Sequence, residues 1–229
     1  MRKILISIVI IFTSITSNSQ IVFNKIIEDT AAHIVNSVVA LDTGYVFLSG
    51  TRNIYNIRSF ALTYIDEIGE KKWKKIFGDV QNQLWEGWYG NLKQYENNYC
   101  FAGSYVNTVE SKRGIHINRF DSLFNLKYQN IIFYDSIDKR IYHSMLSSNY
   151  YFYLTGIIYC PNTNKNKMIL LKADSLGNYL WHKILGNYVY EYGSYIIETS
   201  NGNILTGGDT WVTHINNTRW YLIKTDTAG

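Results

Sequence analysis

Tyr151-Phe152-Tyr153-Leu154-Thr155-Gly156 is a short uncharged run closed by glycine, and it reads as one buried β-strand. Three other stretches share its ending, a small residue followed by glycine: Tyr45-Val46-Phe47-Leu48-Ser49-Gly50, Tyr99-Cys100-Phe101-Ala102-Gly103 and Asn203-Ile204-Leu205-Thr206-Gly207. Their glycines lie 53, 53 and 51 residues apart, so the chain repeats.

Downstream of each glycine a second apolar run closes on aspartate: Phe60 to Asp66, Ile115 to Asp121, Met168 to Asp174 and Trp220 to Asp226, at intervals of 55, 53 and 52. A third run follows the first three, at Trp73 to Gly78, Tyr128 to Phe133 and Trp181 to Gly186. Opening strands are expected at His33 to Leu41, Trp88 to Tyr95, Tyr142 to Leu146 and Tyr195 to Thr199. Asp42-Thr43-Gly44, Glu96-Asn97-Asn98, Ser147-Ser148-Asn149 and Asn201-Gly202 join these to the glycine strands, because Gly and Asn tolerate the positive φ that tight hairpins need. One unit is therefore four short antiparallel strands, and no stretch shows the 3.6-residue periodicity that a parallel α/β fold would require. Tandem four-stranded units of about 50 residues predict an all-β chain, a β-propeller of four blades in which each sheet covers its apolar face with the next.

Within that frame, Leu48, Phe101, Leu154 and Leu205 are expected to face the neighbouring blade, as are Leu62, Ile117, Leu170 and Leu222. Ser49, Ala102, Thr155 and Thr206 are small where blades would converge on an axis. Asp66 to Gly69, Asp174 to Gly177 and Asp226 to Gly229 are turns in which a carboxylate caps and the last residue is left-handed. Phe124 breaks the pattern at Asp121, and Asn125 is expected to take the strained position instead.

Leu171-Lys172-Ala173-Asp174-Ser175-Leu176-Gly177-Asn178-Tyr179-Leu180-Trp181-His182-Lys183-Ile184-Leu185-Gly186, with Ile196-Ile197-Glu198-Thr199-Ser200-Asn201-Gly202-Asn203-Ile204-Leu205-Thr206-Gly207-Gly208, resembles the repeat of secreted bacterial β-propellers. Members commonly carry a C-terminal type IX secretion sorting domain. The match covers nearly all of residues 21 to 229, which show no such domain, so that export route is only what the resemblance implies. Asp66, Gly69 and Trp73, and again Asp174, Gly177 and Trp181, are also similar to the tryptophan-docking repeat of quinoprotein propellers. Four units are half that family's usual number and its turn is longer, so Trp73 and Trp181 are read as packing between blades and no cofactor is expected.

The remaining composition bounds location and partners. With 46% apolar, 16% aromatic and 17% charged residues, the 229-residue chain can bury a sizeable core. Arg2 and Lys3, the apolar run Ile4 to Phe12 and the polar stretch ending Ser17-Asn18-Ser19 read as a cleavable export signal over residues 1–19, leaving the propeller at 20–229 and a secreted or cell-surface product. That apolar run is shorter than the ~20 residues of a permanent span, so no stable membrane insertion is expected. Arg2 and Lys3 also carry two of the four net positive charges, and the nearly neutral remainder excludes a nucleic-acid footprint. The one dense basic run, Lys71, Lys72, Lys74 and Lys75, reads as lysines guarding a strand edge.

Candidate chemistry is thin. Aspartates demanded by every turn are structural, and His33, His116, His143, His182 and His214 fall at unlike repeat positions without ligand spacing, so no catalytic or metal residue is assigned. Cys100 reads as a small buried hydrophobe, with a bridge to Cys160 left open. The non-repeating features are aromatic: Trp85, Glu86, Trp88 and Tyr89, and at the corresponding junction Tyr190 and Tyr192. These six are the candidate ligand-binding residues, with rings to stack on a glycan or anchor a protein, while Glu86 and Glu191 also fit turn caps. The expected role is a non-enzymatic binding or surface scaffold, the alternative a carbohydrate-binding or carbohydrate-active propeller. Ile21 to Ile27 aligns with the runs at Trp73 and Trp181, so either it completes a ring of four blades or further blades belong to the protein.

Overall fold

The computed structural model describes residues 32–52, 57–85, 87, 92–133, 139–160, 162–186, 190–212 and 217–229. Residues 1–31, and with them the export signal and Ile21 to Ile27, lie outside the described residues. Those described form sixteen strands and no helix. Unit 1 is β1 (Ala32–Leu41), β2 (Gly44–Arg52), β3 (Arg58–Asp66) and β4 (Lys71–Phe77). Unit 2 is β5 (Asn82–Trp85), β6 (Lys93–Tyr95), β7 (Asn98–Asn107), β8 (Lys112–Phe120) and β9 (Leu126–Phe133). Unit 3 is β10 (Lys139–Leu146), β11 (Phe152–Cys160), β12 (Lys165–Ala173) and β13 (Tyr179–Leu185), and unit 4 is β14 (Tyr190–Glu198), β15 (Ile204–Val212) and β16 (Asn217–Thr225). Each unit is an antiparallel meander, and a single parallel bridge from Asn166 to Tyr190 joins the sheets of units 3 and 4.

The aspartate turns are equivalent, as the spacing required. Oδ1 of Asp66, Asp121, Asp174 and Asp226 accepts backbone N–H bonds from the residues two further on, at 2.8–3.2 Å. The fourth turn residue is left-handed in every unit: Gly69 (φ 82°), Phe124 (57°), Gly177 (79°) and Gly229 (89°). Phe124 itself therefore takes the strained position expected of Asn125. Its ring is buried and stacks on Tyr99 at 4.1 Å, so packing outweighs a cost on the order of 1–3 kcal/mol for a non-glycine residue there.

Counting from these turns corrects the glycine alignment. Asp66 stands opposite Gly44, and continuing the β11 and β15 ladders by one step sets Asp174 opposite Tyr151 and Asp226 opposite Asn203. In that frame Gly103, Gly156 and Gly208 are counterparts. A Cβ on any of the three would lie under 2 Å from a carbonyl oxygen of the opening strand, that of Trp85, Arg140 or Tyr192. Gly207 is one step away, and Ser49 holds the corresponding place in unit 1. Beside this position the opening strands bulge, at Asn36, Tyr142 and Ser194. In unit 2, β5 and β6 pair with separate parts of β7; of the expected strand Trp88 to Tyr95, Lys93–Tyr95 is β6, and residues 88–91 lie outside the described residues. Adjacent strand positions face opposite sides of a sheet. Phe101 and Leu154 thus face the preceding unit, whereas Leu48, Leu62, Ile117 and Leu170 face the following one.

The units stack in sequence order. One core joins Val46, Leu48, Phe60 and Leu62 of unit 1 to Tyr99, Phe101 and Phe120 of unit 2. A second joins Ala102, Ile115 and Ile117 to Leu154, Ile169 and Leu171, and a third joins Tyr153 and Leu170 to Ile196 and Ile204. Polar ties repeat at the same joints. Arg119 and Lys172, each two residues before its aspartate, donate to the carbonyls of Ser175 and Thr227 in the next unit's turn, at 3.2 and 3.1 Å. Trp73 packs on Phe124, and Trp181 on Gly229, so each indole meets the left-handed residue of the next turn and confirms the packing role. Leu205 and Leu222, expected in a core, depart from it: Leu205 is half-buried and Leu222 is 69% exposed, because no described unit covers that side of unit 4.

Candidate functional site

At the bulge of Tyr142 and the joint between units 3 and 4 a concave site combines aromatic and charged side chains. Arg140 pairs with Ile157, and Tyr159 with Asn166, on the side of unit 3 that faces unit 4. With Tyr142 and with Tyr192 of β14 they line a cleft of about 280 Å³, at the small end of ligand pockets. Three tyrosines, an asparagine, an arginine and Ile157 line it. Among the described residues the lining holds no carboxylate. Tyr159 is oriented by its hydroxyl, which donates to Asn164 Oδ1 at 2.8 Å.

Beside the cleft, Glu191 Oε2 receives Lys167 Nζ at 3.1 Å, and Glu191 is wholly buried. Glu191 is therefore one partner of a buried ion pair. Its carboxylate occupies the space that a Cβ on Gly186 (φ 98°) would need. The pair fixes the start of β14 against β12 and so places Tyr192 at the cleft, while Tyr190 turns to Trp211, ring to ring at 5.8 Å.

Trp85, the first of the aromatic candidates, sits apart at the joint of units 1 and 2. Arg58 covers its ring at 3.7 Å, and its carbonyl accepts a bond from His116 Nε2 at 2.8 Å. Glu86, Trp88 and Tyr89 lie outside the described residues. Of the candidate set, then, Tyr192 lines the cleft, Tyr190 stands beside it and Trp85 packs elsewhere. Arg140, Tyr142, Tyr159 and Asn166 were not marked as site residues by sequence reasoning. Their convergence depends on a bulge and on which face of β11 and β12 meets unit 4, and neither leaves a local signal.

The other titratable groups are engaged in the scaffold. His116 is fully buried, and burial pushes its ring down to about 4 from 6.5. Because the Trp85 carbonyl can only accept, Nε2 carries the proton and Nδ1 accepts from Asn118, whose Oδ1 in turn accepts from Gln129 Nε2 at 2.7 Å. His143 is likewise pushed down to about 4 by burial, and its Nδ1 accepts from the Ile196 N–H of unit 4 at 3.2 Å. Burial drives the Cys100 thiol up to about 12, making it an unreactive core residue, and both Cys100 and Cys160 are free thiols. Among the described residues no group of three His, Cys, Asp or Glu side chains could hold a metal, and no helix is long and apolar enough to cross a membrane. No family model matches this chain, and no curated protein resembles it significantly.

Proposed function

We propose that this chain is a secreted β-propeller-type scaffold that binds rather than catalyses, with a glycan as the ligand of the cleft between units 3 and 4. The carrying observation is the lining itself. Tyrosine rings stack on sugar faces while their hydroxyls, with Asn166 and Arg140, reach the hydroxyl or acidic groups at the sugar's edge. Hydrolysis of a glycoside calls for two carboxyl groups flanking the bond, roughly 5 to 10 Å apart, and this lining offers none. The four recurring aspartates are spent on turn N–H groups. The propeller reading is supported by the face-to-face stacking of short antiparallel meanders in sequence order, and secretion by the residues of the first nineteen positions.

Titration against a panel of neutral and acidic polysaccharides, followed by intrinsic fluorescence and by retardation in glycan-containing gels, tests this reading. Binding should be saturable and should weaken at least tenfold in Tyr192→Ala and in Tyr142→Ala. Arg140→Gln should weaken acidic glycans more than neutral ones. Absence of binding across the panel, or binding indifferent to all three substitutions, refutes the glycan assignment.

A further inference from the structure

The three internal joints define two kinds of sheet face. In each joint, the face of one unit carrying the even positions counted from the residue opposite its aspartate packs against the odd-position face of the next unit. Unit 4 has an even face of the same composition as those above it. Ile197 of β14, Leu205 and Trp211 of β15 and Leu222 and Trp220 of β16 share it, through the pairs Ile197–Leu205, Gly207–Leu222 and Asp209–Trp220. The counterparts of Leu222 in the other three units, Leu62, Ile117 and Leu170, are wholly buried, whereas Leu222 is 69% exposed and Trp220 is 91% exposed. At the other end of the stack, unit 1 shows its odd face. Val38, opposite Phe47, is 54% exposed, and Ile76, opposite Ala61, is 56% exposed.

We infer that the even face of unit 4 is an interaction surface whose partner is the odd face of unit 1 in a second copy of this chain. The occupant follows from the repeat: at all three joints an even face is covered by an odd face, and unit 1 is the described unit whose odd face stands open. A contact between unlike faces is head-to-tail, and such contacts either close into a ring or run on as a filament. Two copies closing on each other would give eight units, within the four to eight blades of known propellers. The number of copies rests on the propeller reading; the contact itself does not.

Sedimentation velocity and light scattering of the full chain, across a hundredfold range of concentration, read the assembly. A single species of two copies supports both the contact and the ring. A ladder of masses growing with concentration supports the contact and contradicts the propeller. A monomer throughout overturns the inference. Leu222→Glu and Val38→Glu each alter an exposed side chain, so the fold tolerates them, and each alone should abolish association. An equimolar mixture of the two should recover pairs, since one intact even face then meets one intact odd face. Association that survives Val38→Glu but is lost in Leu222→Glu would mean two even faces meet, and would also overturn the inference.

Discussion

At the scale of single residues, close approach separates two neighbouring glycines that look interchangeable in the sequence. A Cβ on Gly208 would fall 1.7 Å from the Tyr192 carbonyl oxygen, whereas one on Gly207 would meet only the tip of the exposed Leu222 side chain at 2.7 Å, with the next atom at 3.7 Å. Gly208→Ala should therefore destabilise the chain by about 2 kcal/mol or more, and Gly207→Ala should stay within about 0.5 kcal/mol of the parent. Urea denaturation of both variants measures this, and equal losses would contradict the register proposed for unit 4. Here the sequence misleads for a physical reason. The small-residue-plus-glycine ending aligns Gly207 with Gly103 and Gly156, but a glycine is required only where the bulged opening strand presses its carbonyl inward, and that pressure falls one position further on. Phe124 teaches the converse. Its turn chemistry points away from a left-handed residue, yet stacking on Tyr99, contributed by β7, holds it there.

At the scale of elements, hairpin turns and strand number were legible because aspartate spacing and apolar runs are local signals. Strand β5 was not, since a tertiary contact holds it: His116 of β8 donates to the Trp85 carbonyl at the end of β5, so its protonation state and the anchoring of β5 are linked. The ring holds fewer protons in the folded chain, where it titrates near 4, than in the unfolded chain, where it titrates near 6.5. Between those values the unfolded chain binds more protons, so stability is fully present above about pH 6.5 and is lost as pH falls towards 4. The loss should reach on the order of 3 kcal/mol for this residue, at about 1.4 kcal/mol per pH unit. Chemical denaturation at intervals from pH 7.5 to 4.5 should show that decline. His116→Phe should be less stable at pH 7, because the Trp85 carbonyl loses its donor, yet should decline less steeply, with His143 supplying the remaining slope. An unchanged slope would show that His116 is not the titrating group. The candidate site was legible only as far as its aromatics: Tyr190 and Tyr192 stand out at the junction before β15, whereas Arg140, Tyr142 and Asn166 come together only through the bulge in β10 and the bridge from β12 to β14.

At the scale of the whole molecule, no unit has a core of its own. Each sheet is a single layer whose apolar sides are satisfied by its neighbours, and so stability is shared between units much as in a solenoid. Nuclear Overhauser spectroscopy on a chain with labelled aromatic rings and methyl groups tests this arrangement most directly. Cross-peaks are expected between Phe60 and Phe101, whose rings lie 4.7 Å apart across the first joint. They are expected also between Tyr95 and Tyr150 across the second, at 4.7 Å, and between the Met168 and Thr206 side chains across the third, where sulfur and hydroxyl oxygen are 4.0 Å apart. If all three pairs are silent while Leu48, Ile117 and Leu170 show contacts only within their own sheets, the units do not cover one another and the account fails.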